Sequence, residues 1–184
     1  FLARCNNPPA EREAYNQQQR RHRVSGARGN KRPGPRPPPG GCPAGFKAMS
    51  SLEAYLHDSG LGAPFLHMIK LRASQINGCA YCIDMHWKDA RAAGETEQRL
   101  YGLDAWREAS YYTDRERAAL EWTEALTNIT DGHVPDAVSE VAPSQFSDKE
   151  VADLTWAIAA INAWNRVSIA FRSEAGTYKP GAYR

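Results

Sequence analysis

The sequence predicts an all-α fold, a helical bundle, preceded by a disordered tail. Three observations carry that prediction. Apolar residues after Ala44 recur at spacings of three and four, the period of an amphipathic helix. Two capping boxes, Thr113-Asp114-Arg115-Glu116 and Ser147-Asp148-Lys149-Glu150, stand directly before such runs. No stretch of residues 44–184 reads as a strand.

Residues 1–43 form the tail. They hold eight of the twelve prolines and nine Lys and Arg against two Glu. Such a segment buries too little apolar surface to offset its ordering entropy, so disorder is expected. It reads as a basic arm for nucleic acid or anionic membrane, or as inert. The inert reading is favoured, because no aromatics are interleaved with the basic run. Residues 44–184 form the domain. They carry fourteen Lys and Arg against nineteen Asp and Glu, so no nucleic-acid partner is expected.

In the domain, Phe46, Met49, Leu52, Tyr55 and Leu56 mark a first helix that Gly60 closes. The run Phe65 to Ala73 predicts a second helix with Pro64 in its first turn. Asn77-Gly78 breaks it, and a third helix runs from Cys79 to Ala93 with Gly94 past its end. Glu95 to Leu103 and Ala105 to Ala109 read as short helical pieces. After Thr113 a helix carries Ala118, Leu120, Trp122, Leu126 and Ile129, and Asp131-Gly132-His133 ends it. Pro135 to Val141 reads as one more turn or two. The longest helix spans Asp148 to Phe171 and has no charged residue between Asp153 and Arg166. Burial nearly all round follows, as a central helix or a subunit interface.

Of four cysteines, Cys5 and Cys42 lie in the tail, and only Cys79 and Cys82 belong to the domain. A staple between positions three apart closes almost no loop, so this pair reads as reactive or ligating and favours a reducing compartment. No apolar run reaches transmembrane length, and the first residues lack a secretory apolar core. A cytoplasmic location without a membrane partner is therefore expected.

With a helix starting near Cys79, the side chains of Cys79, Cys82 and His86 fall along one face. A thiol becomes nucleophilic as thiolate, and its unperturbed pKa of about 8.5 must be lowered. A helix N-terminus would favour Cys79 in that respect, and His86, four residues on, would serve Cys82 as base or counter-charge. If Cys82 attacks a hydroperoxide, Cys79 can condense with the sulfenic acid, although spacing also admits the reverse order. A metal reading needs a fourth ligand, for which His67 is available. In a third reading the cysteines are buried small residues and His86 a core histidine. His57 and His133 lie at predicted helix ends and read as exposed caps. Asp84 points away from the cysteine face, and Tyr81 packs. Ser74 and Asn77 turn the chain ahead of the third helix. Trp164 and Arg166 read as core or interface.

The stretch Ser74-Gln75-Ile76-Asn77-Gly78-Cys79-Ala80-Tyr81-Cys82-Ile83-Asp84-Met85-His86 resembles the core signature of the alkylhydroperoxidase D-like branch of the carboxymuconolactone decarboxylase family. The likeness continues through Ala90-Arg91, Gly94-Glu95, Arg99-Leu100-Tyr101, Glu116 to Leu120 and Ile161 to Arg166, and covers about Phe46 to Tyr178. It implies an all-helical protein that assembles as a homotrimer or homohexamer, and a thiol-dependent peroxidase. Cys82 would then attack the peroxide, Cys79 would resolve it, and His86 would take part in a proton relay. A dithiol or thioredoxin-like reductant would close the cycle, with no haem, flavin or metal. Decarboxylating members lack the cysteine pair. One position departs from the pattern. The relay glutamate normally stands twelve residues before the first cysteine, where this chain has His67. An imidazole can pass protons, but it cannot supply the negative charge that would hold His86 protonated.

Overall fold

The computed structural model describes residues 43–182, so the reading of the tail lies outside the described residues. Seven α-helices and one short 3-10 turn make up the regular structure among them, with no strand. They are α1 (Pro43–His57), α2 (Ala63–Asn77), α3 (Ala80–Ala92), α4 (Glu97–Tyr101), α5 (Asp114–Thr127), α6 (Asp136–Gln145) and α7 (Asp148–Phe171).

Local chemistry sets most of these boundaries. Both capping boxes form, with Thr113 and Ser147 each accepting from a backbone N–H of the first turn while Glu116 and Glu150 reach back to the cap. Pro64 sits in the first turn of α2, and Gly78 ends that helix in the left-handed region at φ 67°. Ile69 and Leu71 of α2, Leu120 of α5 and Leu154 and Ile158 of α7 are essentially fully buried in one core. Each such burial contributes about 1.5–3 kcal/mol. Helix α2 packs on α3, α5 and α7, and α7 touches α1, α3, α5 and α6 as well, which makes these two the axis of the bundle.

Four expectations change. Helix α5 stops at Thr127, leaving Ile129 beyond it and 46% exposed. Ala105 to Ala109 is not a helical piece, because only Leu103–Ala105 forms a 3-10 turn. Beyond it the Glu108 and Ala109 N–H groups close a single turn onto the Ala105 carbonyl, and the guanidinium of Arg117 donates to the carbonyls of Trp106, Arg107 and Ala109 that this turn leaves free. Helix α6 reaches ten residues instead of one or two turns, because packing against α5 supports it past Val141. In α7 the charge-free stretch is buried on one side only: Leu154, Ala157, Ile158 and Ile161 are covered, whereas Trp156 is 56% exposed. Absence of charge marks a surface that water does not require to be polar, and a single chain leaves part of it bare.

Candidate functional site

The turn between α2 and α3 is tied down from behind. Asn77 donates from Nδ2 to Oδ1 of Asn162 and of Asn165, both at 2.9 Å. Asn165 donates in turn to Ser74 Oγ at 3.0 Å, and Ser74 donates to the Lys70 carbonyl at 2.7 Å. Ser74 and Asn165 are fully buried, so each unmade bond here would cost free energy. Ser74 and Asn77 therefore anchor the turn to α7 as well as shaping it. The Cys79 amide closes the turn onto the Ser74 carbonyl at 3.0 Å.

Cys79 is the N-cap of α3, one position ahead of the helix that the sequence reading began at it. Its sulfur accepts from the backbone N–H of Cys82 at 3.4 Å. The two cysteines are joined as a disulfide, with their Cα atoms 5.4 Å apart. Both are 1% exposed and pack with Ala73 and Ile161, flanked by the half-buried Tyr81 and Trp164. The indole of Trp164 donates to Glu53 Oε1 at 3.0 Å and meets the Phe46 ring edge-on.

One helical turn past Cys82, His86 is 5% exposed. Its Nδ1 lies 3.3 Å from Nδ1 of His67, which α2 presents across the helix pair. Its Nε2 is buried and meets no hydrogen-bond partner among the described residues. Burial, then the positive charge of Lys70, then His67 hold the His86 imidazole well below its ordinary pKa, so it is neutral. His67 thus occupies the place the sequence assigned to it and discourages charge on His86. Lys70 itself is nearly buried and ion-paired with Glu53.

Two residues that sequence reasoning passed over complete the cluster. Asp89, one turn beyond His86 on α3, is 8% exposed, and both its oxygens lie 2.9 Å from the Tyr178 hydroxyl. Its spacing of three from His86 was the available signal; nothing in the sequence points to Tyr178. The segment carrying Tyr178 is held by Lys88, which donates to the Gly176 and Tyr178 carbonyls, and by Asp84, which accepts from the Gly176 N–H at 3.1 Å. Asp84 points away from the thiols, as its spacing implies, and fastens this segment. Ligand atoms of His67, His86 and Asp89 lie within 4.8 Å of one another. The ligand set drawn from the sequence, two cysteines with His86 and His67, does not assemble. The sulfurs are bonded to each other, and the third group beside the histidines is Asp89. His57 is exposed and paired with Asp58, and His133 lies past α5 at φ 60°. A cavity of about 270 Å³ between Pro64, Phe65, Met68, Glu95 and Glu116 includes none of the site residues.

Comparison with known proteins supplies context for this geometry. The model of the carboxymuconolactone decarboxylase family matches residues 43–125. The chain is 44% identical over 136 residues to the uncharacterized protein YdfG of Bacillus subtilis (strain 168), a match that spans 74% of this chain and 92% of that protein. Among solved structures it is similar to ATU0492 from Agrobacterium tumefaciens, a protein of unknown function with a suggested antioxidant defence role as an AhpD. That similarity has a TM-score of 0.71 at 47% identity and covers 74% of this chain and 93% of that one. An uncharacterized peroxidase-related protein from Silicibacter sp. TM1040 aligns with a TM-score of 0.65 at 25% identity, over 76% of this chain and 74% of that one.

Proposed function

The chain belongs to the alkylhydroperoxidase D-like carboxymuconolactone decarboxylase family, and from that premise we propose that it is a thiol-dependent hydroperoxidase. One observation carries the reading: Cys79 and Cys82 are disulfide-bonded at the N-terminus of a helix whose next turn holds a buried, neutral histidine.

In the reduced protein Cys82 is the attacking thiol. The helix N-terminus serves Cys79, whose sulfur accepts the Cys82 N–H, and Cys82 relies on the imidazole one turn on. His86, one turn on, takes the thiol proton, and its unpartnered Nε2 is the atom free to do so. The thiolate attacks the peroxide: an S–O bond forms, the O–O bond breaks, and the alkoxide leaves as the alcohol after taking up the proton. Cys82 is then a sulfenic acid. The Cys79 thiol attacks its sulfur: the S–S bond forms, the S–O bond breaks, and the hydroxyl leaves as water with the proton that Cys79 gives up. An external dithiol, such as a thioredoxin-like protein, returns the pair to thiols by exchange. His67, 3.3 Å from His86, passes the proton onward in place of a carboxylate. Because both sulfurs are 1% exposed, peroxide and reductant reach them only when neighbouring side chains shift. The active form is a trimer or hexamer located in the cytoplasm. The exposed Trp156 and Val167, eleven residues apart and so on one side of α7, give such an assembly an apolar face to cover.

The test is consumption of an organic hydroperoxide with a dithiol reductant. Wild type turns over, Cys82→Ser loses at least about a hundredfold, and Cys79→Ser stops after one equivalent with a sulfenic acid trapped by dimedone. No turnover by wild type, or undiminished turnover by Cys82→Ser, removes the proposal.

A further inference from the structure

We propose that His67, His86 and Asp89 form a binding site for a divalent transition-metal ion of the Zn²⁺ or Co²⁺ kind, separate from the cysteine pair. The two facing Nδ1 atoms stand 3.3 Å apart. Two nitrogens bound to one tetrahedral Zn²⁺ at about 2.0–2.1 Å are separated by about 3.3 Å, the same spacing. Asp89 adds an oxygen from the same face of α3, and one ligand atom from each of the three residues lies within 4.8 Å of the others. Closing the carboxylate onto the ion takes a side-chain rotation. Two imidazoles and a carboxylate are a donor set that first-row divalent ions accept, with a further position left for water.

The surroundings have the features such a site needs. The buried Asp89 carboxyl group has no ion-pair partner among the described residues, and its contact is the Tyr178 hydroxyl. One hydroxyl proton cannot serve both carboxyl oxygens at once, so one of them keeps its lone pairs available. Tyr178 would stand behind the ligating carboxylate, in the way that outer hydrogen bonds orient metal ligands. Lys70, whose charge reaches His86, is itself ion-paired with Glu53. The sulfurs take no part, because they are bonded to each other.

The experiment uses the full chain, chelator-treated and kept oxidised, so that thiolates are absent. The ion would take the Nδ1 atoms that pass the proton in the proposed relay, so the loaded protein is an inhibited form of that enzyme; the readout here is binding to the oxidised chain, and either reading can fail alone. Co²⁺ is added and followed by its visible d–d absorption, and Zn²⁺ is titrated against a chromogenic chelator. One ion per chain is expected, with cobalt bands of a nitrogen–oxygen site and no sulfur-to-cobalt charge transfer. His67→Asn and Asp89→Asn should each weaken Zn²⁺ binding at least tenfold. Tyr178→Phe should weaken it by about ten- to a hundredfold while leaving the circular dichroism unchanged. Absence of stoichiometric binding in the oxidised wild type, binding unchanged in His67→Asn, or thiolate charge-transfer bands would each overturn the proposal.

Discussion

At the residue scale, the surroundings of a side chain decide its chemistry more than its identity does. His86 was visible in the sequence as a histidine one turn from a cysteine; that it is neutral follows from burial, Lys70 and His67. Asp89 was passed over because a carboxylate on a helix is most often solvated, and only the packing of Tyr178 shows it to be buried. Glu150 is the opposite case, a residue whose role was legible from its capping box. The Ser147 backbone N–H, the Arg115 guanidinium and the Ser147 hydroxyl hold its pKa down at about 2. An unfolded glutamate titrates near 4.3. The folded-state pKa is depressed, so its contribution to stability is complete above about pH 4.5 and disappears as pH falls toward 2. Thermal unfolding between pH 5 and 2 should accordingly show a shallower acid decline for Glu150→Gln than for wild type, and parallel curves would refute that assignment.

At the element scale, helix boundaries written in caps and breakers were readable: Pro64, Gly78, Thr113 and Ser147 act where the sequence places them. Elements held by distant partners were not. Arg117 satisfies the carbonyls that the turn at Ala105 to Ala109 leaves free, and α6 outgrows its local signal by leaning on α5. The anchor of the cysteine turn belongs to this class, since Asn77 and Asn165 are 88 residues apart in sequence. Replacing Asn165 by Ala removes its bonds to Asn77 and Ser74 inside the core. The expected cost is about 1–3 kcal/mol in chemical denaturation. Faster amide exchange at Cys79, whose N–H bonds to Ser74, should accompany it. An unaltered midpoint would mean that the network contributes nothing to stability.

At the scale of the whole molecule, no described helix is long and apolar enough to cross a membrane. Among the exposed apolar side chains, Trp156 at 56% and Val167 at 40% exposure share one side of α7. Under the proposed assembly, wild type sediments as three or six chains and Trp156→Lys shifts the distribution toward smaller species. A monomeric wild type would count against a multimer. The sequence by itself determined the all-helical class, the order of the main helices and the Cys79, Cys82, His86 face. Periodicity, caps and one-turn spacing are local, and a helix converts sequence distance directly into geometry. Only the tertiary structure decided that His67 meets His86, that Asp89 and Tyr178 join them, and that Asn162 and Asn165 brace the turn. Those contacts cross between helices, where distance along the chain says nothing about distance in space.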